Sequence, residues 1–150
     1  MTPLRPHVTA SIRTSLPATS IWSQYEKLSD WPKWDPSILS ITSPVPPPLK
    51  IGQKLTLTTS SPSYTGSLPL LSCFSPTTLT YTLPLPGCQI TRSFEIKTSD
   101  EGVEVIHGIR YDGMMKFVYK EKEEEEVKNL KGQVEKLVEL AEKAENSNKK

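Results

Sequence analysis

Cysteine, histidine and glycine are scarce in this sequence, and each shortage removes a class of chemistry. The cysteines are Cys73 and Cys88 and the histidines His7 and His107, far apart and with no Cys-x-x-Cys spacing. A metal centre therefore has no ligand set, and no cofactor is implied. The two cysteines fall on segments that read as the fourth and sixth strands, with a strand between them. That spacing predicts free thiols rather than a disulfide and fits a cytoplasmic protein. Glycine, at 7 residues, nowhere forms a phosphate-cradling loop. Serine and threonine are plentiful, but no Ser-His-acid arrangement surrounds them.

Charge of one sign and long apolar runs are missing too. Lys and Arg total 18 against 17 Asp and Glu, a net charge of +1, which gives no electrostatic case for nucleic acid or an anionic membrane. No run approaches the roughly 18 apolar residues of a membrane span, so integral membrane association is not expected. Residues 1–7 have no apolar signal core. Their Arg and Thr content and lack of acid are reminiscent of a transit peptide, but this stretch is better used leading into a first strand. The 150 residues suffice for one domain with a real core. Residues 1–146 are expected to form that domain, as a monomer or weak dimer, with 147–150 frayed.

What is present is an amphipathic helix near the end of the chain. Within residues 127–144, Val127, Leu130, Val134, Leu137, Val138, Ala141 and Ala144 recur at spacings of three and four, a stripe roughly 120° wide. Burying that face is worth on the order of ten kcal/mol before chain entropy is charged against it. Gly132 lies opposite the stripe and costs about 1 kcal/mol of helix stability.

Upstream, period-two alternation dominates. Val8, Ala10 and Ile12 mark a first strand. Ser15 is a plausible N-cap for a helix over residues 17–28 that buries Ile21, Trp22, Tyr25 and Leu28. Ser29 and Asp30 can cap a second short helix through Trp31 and Trp34, closed by Asp35-Pro36. Strands follow at residues 38–43; at Gln53, Leu55, Leu57 and Thr59; at 64–74; at Leu79, Tyr81, Leu83 and Leu85; at Ile90, Arg92, Phe94 and Ile96; and at Val103, Val105, His107, Ile109 and Tyr111. The turn at residues 60–63 joins the third to the fourth. Pro69 marks an edge position or a bulge in the fourth. The 14 prolines otherwise punctuate loops and strand ends. Met114, Met115, Phe117 and Val118 fall off the helical stripe, so either the last strand runs on past Gly113 or a helix begins there in other surroundings. Residues 120–126 read as a solvated first helical turn or two. Short turns between consecutive strands imply antiparallel pairing.

Three stretches carry a family resemblance: Ala10-Ser11-Ile12 leading to Pro17-Ala18 and Ile21-Trp22; Leu28-Ser29-Asp30-Trp31-Pro32-Lys33-Trp34-Asp35-Pro36; and His107-Gly108-Ile109-Arg110-Tyr111-Asp112-Gly113 before the final helix. In this order the sequence resembles the START/polyketide cyclase–dehydrase superfamily, also called SRPBCC or helix-grip. The resemblance implies an α+β fold: a curved antiparallel seven-stranded sheet wrapped around a long C-terminal helix, with two short helices after the first strand. It also implies a cavity between sheet and helix. Many members carry His-x-Glu in the third stretch; here Ile109 replaces the Glu, so any role of that carboxylate is lost.

The expected function is binding of a small hydrophobic molecule: lipid, sterol, quinone or polyketide. Candidate ligand-binding residues are Tyr81, Arg92, Phe94, His107, Ile109, Tyr111, Leu130 and Val134. His107, in phase with Val105 and Ile109, is a proton donor or acceptor facing the cavity, or a buried histidine bonded to its neighbours. Arg92 is a ligand anchor, or sits at the cavity mouth with its head in water. Trp22, Trp31 and Trp34 close one end of a cavity or pin the short helices to the sheet. The alternative is a cyclase- or dehydratase-like enzyme in which His107 and Tyr111 move a proton. A third reading is a protein-interaction module using the outer face of the last helix.

Overall fold

The computed structural model describes residues 5–60 and 62–148; residues 1–4, Ser61 and residues 149–150, which include part of the expected tail and turn, lie outside it. The chain runs β1 (Val8–Thr14), α1 (Ala18–Glu26), a 3-10 turn (Leu28–Asp30), α2 (Trp31–Trp34), β2 (Ile38–Thr42), β3 (Lys54–Ser60), β4 (Ser63–Phe74), β5 (Thr78–Leu85), β6 (Cys88–Ser99), β7 (Gly102–Asp112), α3 (Lys116–Tyr119) and α4 (Glu123–Asn148). The seven strands form one antiparallel sheet in the order β1-β7-β6-β5-β4-β3-β2. α4 lies against β1, β7, α1 and α2. This is the α+β helix-grip architecture.

Alternation becomes layers through the register. Leu83, Ile90 and Tyr111 are cross-strand partners on the inner face of β5, β6 and β7. One row on stand Tyr81, Arg92 and Ile109, and the next holds Leu79, Phe94, His107 and, on β1, Ala10. Leu130, Val134, Leu137, Val138 and Ala141 of α4 are buried, facing this surface. Cys73 and Cys88 are free.

Several local expectations need correction. Pro17, not Ser15, is the N-cap of α1, and it makes no side-chain cap bond. Its extended backbone starts the helix without one. α1 stops at Glu26, so Leu28 falls in the 3-10 turn and is half-buried. Asp30 precedes α2 but bonds Lys33 at 3.1 Å instead of capping the helix. β4 is interior, not an edge strand. The Leu70 N–H donates to the Gln53 carbonyl, so strand alternation turns the Pro69 nitrogen toward β5. Pairing with β5 begins only at Leu70, with a register shift before Ser72. The missing proline donor thus sits where a ladder ends and a bulge begins.

The last strand does not run on past Gly113. Gly113 has φ 119°, and a Cβ there would lie 2.5 Å from the Gly87 carbonyl oxygen. The chain turns, the Met115 N–H bonds the Gly87 carbonyl, and α3 follows. α4 then begins at Glu123, earlier than its apolar stripe. Val127 is 38% exposed and off the core, because these first turns overhang the sheet. Glu126, expected in a solvated turn, is only 4% exposed, and Gln133 is buried within the stripe. α4 continues as helix to Asn148.

Candidate functional site

Between α4 and the sheet lie two unlike compartments. One is filled. α1 and the Pro32-containing α2 swing aromatic side chains inward: Tyr25, Trp31 and Trp34 are almost wholly buried. Tyr25 stacks on Phe94 with 5.3 Å between centroids. Trp34 meets Phe94 edge-on at 5.4 Å, and Phe94 lies 4.4 Å from the His107 ring. Such offset and edge contacts are favoured by the ring quadrupoles. The tryptophans of α2 therefore pin it to the sheet by filling the interior.

The other compartment is open. A cavity of about 590 Å³ is lined by Leu83, Ile90, Ile109, Tyr111 and Leu130, with Arg92, Asp35 and Gln133 at one boundary and Glu126 on the α4 side. Ser37, which bonds Asp35, and Ser60 and Pro62 also line it, as do Val118, Tyr119 and Lys120 of the α3 segment. In and just before that segment, Met114, Phe117 and Val118 stand exposed.

The boundary is a buried polar network. An Arg92 Nη2 donor reaches Asp35 Oδ2 at 2.8 Å and Gln133 Oε1 at 3.0 Å. Asp35 Oδ1 accepts from the Ser37 N–H and hydroxyl. Burial pushes the Asp35 pKa up, but the Arg92 charge and these hydrogen bonds outweigh it and hold the carboxyl below its usual range. His107 Nδ1 lies 3.0 Å from Gln133 Oε1, and its Nε2 lies 2.8 Å from the Tyr25 hydroxyl. Gln133 Oε1 can only accept, so Nδ1 carries the proton and Nε2 accepts from Tyr25. Burial drives the His107 pKa down to about 3, with the Arg92 charge adding to the effect. The ring is neutral and both nitrogens are occupied.

Among the sequence-predicted residues, Arg92, Ile109, Tyr111 and Leu130 line the cavity. Tyr81, Phe94, His107 and Val134 do not; they are buried in the packed interior. His107 does point inward, but into the filled compartment. The Arg92 head is not in water at the mouth: it is paired with a fully buried aspartate. Tyr111 keeps its phenol protonated, since burial and the neighbouring Glu126 carboxylate both raise its pKa.

Five participants escaped the sequence reading. Glu126 and Gln133 fall four residues before and three after Leu130, on the apolar stripe, and that spacing was their signal. Leu83 and Ile90 were placed on inner faces but not at a site. Asp35 read as a helix terminator, and nothing local names Arg92 as its partner. Among the described residues no three His, Cys, Asp or Glu side chains cluster to hold a metal, and no helix is long and apolar enough to cross a membrane.

No protein-family model matches the sequence, and no curated protein matches it significantly. Solved structures share its fold. A protein from Nitrosomonas europaea aligns with TM-score 0.69 at 16% identity, over 95% of this chain and 99% of that one. The di-domain ARO/CYC StfQ from the steffimycin biosynthetic pathway aligns with TM-score 0.62 at 13% identity, over 92% of this chain and 51% of that one. Ara h 8.0201 aligns with TM-score 0.60 at 14% identity, over 89% and 95%. These likenesses bear out the helix-grip, START-like fold that the resemblance implied.

Proposed function

We propose that the protein binds a small, largely hydrophobic molecule in the open compartment, without transforming it. The observation that carries this reading is the cavity itself. Its volume of about 590 Å³ falls in the usual range for small-molecule sites, and its wall joins an apolar patch to an extensive polar one that includes Asp35, Arg92, Glu126, Asn129 and Gln133. Leu83, Ile90, Ile109 and Leu130 supply apolar surface, and Arg92, Tyr111 and Glu126 are among the polar groups. The fold-level likeness to an ARO/CYC domain keeps polyketides among the ligands to be tried, beside lipids, sterols and quinones.

The enzyme reading finds less support. His107 is absent from the cavity wall, and both its nitrogens are engaged by Gln133 and Tyr25. Tyr111 is held in its neutral form by burial and the adjacent Glu126 carboxylate, which suits it to donate a hydrogen bond and not to give up its proton.

The test is to extract the purified protein with organic solvent and analyse the extract by mass spectrometry, followed by thermal shifts against lipids, sterols, quinones and aromatic polyketides. A stoichiometric apolar compound, or a stabilising member of the panel whose effect is lost in Ile109→Trp, is the expected result. An empty extract with no stabilising compound overturns the reading.

A further inference from the structure

The charges in the cavity wall do not balance. Deep in the cavity, Arg92 is matched by Asp35 at 2.8 Å. Lys120 and Glu121 stand at the exposed rim. That leaves Glu126, 4% exposed, with no salt bridge among the described residues. Its Oε1 accepts the Glu121 N–H at 3.1 Å and the Tyr111 hydroxyl lies beside the carboxylate, while its Oε2 is shielded from water and has no partner in bonding geometry among the described residues. A buried carboxylate oxygen without a partner is strongly disfavoured. Two tyrosines, Tyr111 and Tyr119, also line the cavity, and aromatic faces attract cations.

We propose that the ligand is a hydrophobic amine bound in its protonated form, with Glu126 as counter-ion and the Tyr111 and Tyr119 rings beside the ammonium group. This rests on the cavity-binding reading and specifies its ligand class. An ammonium donor satisfies the orphaned Oε2 and cancels the uncompensated charge. A carboxylate of the same shape meets Glu126 as a like charge, and although the buried Arg92 Nε has no partner among the described residues, the Arg92 charge is already matched by Asp35 at 2.8 Å.

Three probes of one shape test this by isothermal titration at neutral pH: 2-naphthylmethylamine, 2-naphthylmethanol and 2-naphthoate. Wild type should bind the amine about tenfold or more tighter than the naphthoate, with the alcohol between, as expected for a charge-assisted hydrogen bond against a like-charge contact. Glu126→Gln keeps an acceptor for the Glu121 N–H and should bring the amine to within about threefold of the alcohol. Naphthoate binding as tightly as the amine overturns the proposal even if Glu126→Gln does not fold. So does an amine preference that survives in a folded Glu126→Gln. Binding of none of the three overturns the amine assignment, and the extract and ligand panel above then decide separately whether the cavity-binding reading falls with it.

Discussion

β5 passes through both compartments on a single face. Leu79 lies in the row of Phe94 and His107, where Tyr25, Trp31 and Trp34 leave no room; Leu83, four residues on, lies in the row of Ile90 and Tyr111 and faces the cavity. Both leucines are buried to within 1%, so burial does not separate them. The difference lies in what stands opposite. Two short helices cover the first with aromatic rings, whereas the overhanging first turns of α4 and the α3 segment arch over the second. A curved sheet gripping a helix encloses more space than aliphatic side chains can fill. In this chain the aromatic insertion after β1 fills one end and leaves the other open.

The border between the two ends is ionic, which makes it the most sensitive point of the contrast. A buried ion pair gains little net stability over apolar packing, yet removing one partner leaves the other charge stranded. Asp35→Ala is therefore expected to destabilise the fold by about 3–5 kcal/mol, because Arg92 loses its matched carboxylate in a dry site. Urea denaturation measures it. A loss below about 1 kcal/mol, the range of exposed pairs, would place the Arg92 head in water and dissolve the boundary between the compartments.

Acid probes the filled end. The folded-state pKa of His107 is depressed to about 3, so the unfolded chain takes up a proton near the ordinary value of about 6.5 while the folded chain does not. The stability tied to the neutral ring is complete above that value and is lost as pH falls toward 3. The slope reaches at most about 1.4 kcal/mol per pH unit. Asp35, with a depressed carboxyl pKa, begins to lose its contribution as pH falls through the ordinary carboxylate value of about 3.9, below the pH 5 limit of this comparison. His107→Gln removes the titrating ring, and its urea midpoint should vary less between pH 7 and pH 5 than that of wild type. Equal slopes in the two proteins would mean that water reaches the His107 ring and that the packed end is not dry. His7, whose pKa is also lowered, by burial and then by Arg110, is present in both proteins and cancels from the comparison.

Most of the scaffold was legible in the residues because it rests on two periodicities. Alternation placed each inner strand face, and the stripe of α4 placed Leu130, Val134, Leu137, Val138 and Ala141 in the core. Phase, however, says only which wall a side chain faces, not what stands across from it. His107 and Phe94 were correctly inward, but only the packing of Tyr25 and Trp34 against them decides that they face rings instead of a cavity. The Arg92–Asp35 pair joins residues distant in sequence, and no local pattern encodes it. Glu126 and Gln133 were hidden for a different reason: polar residues on an apolar stripe are easily assigned to the solvated side, although the spacing had already turned them inward.

The mildest perturbation tests the contrast most directly, because it makes one substitution twice on one strand. Phenylalanine is larger than leucine by enough to strain a filled core, typically at a cost of about 1–3 kcal/mol. Leu79→Phe should show that cost in its denaturation midpoint, since Phe94 and Cys73 are its cross-strand neighbours and the aromatic cluster closes the space above. Leu83→Phe meets empty volume instead. It should change stability by less than about 1 kcal/mol, as the added apolar contacts offset any adjustment. The same substitution should weaken binding of the naphthyl probes, because it consumes the volume they need. Equal destabilisation by the two variants would mean that the second compartment collapses in solution, and that what distinguishes the two leucines is lost when the protein is unliganded.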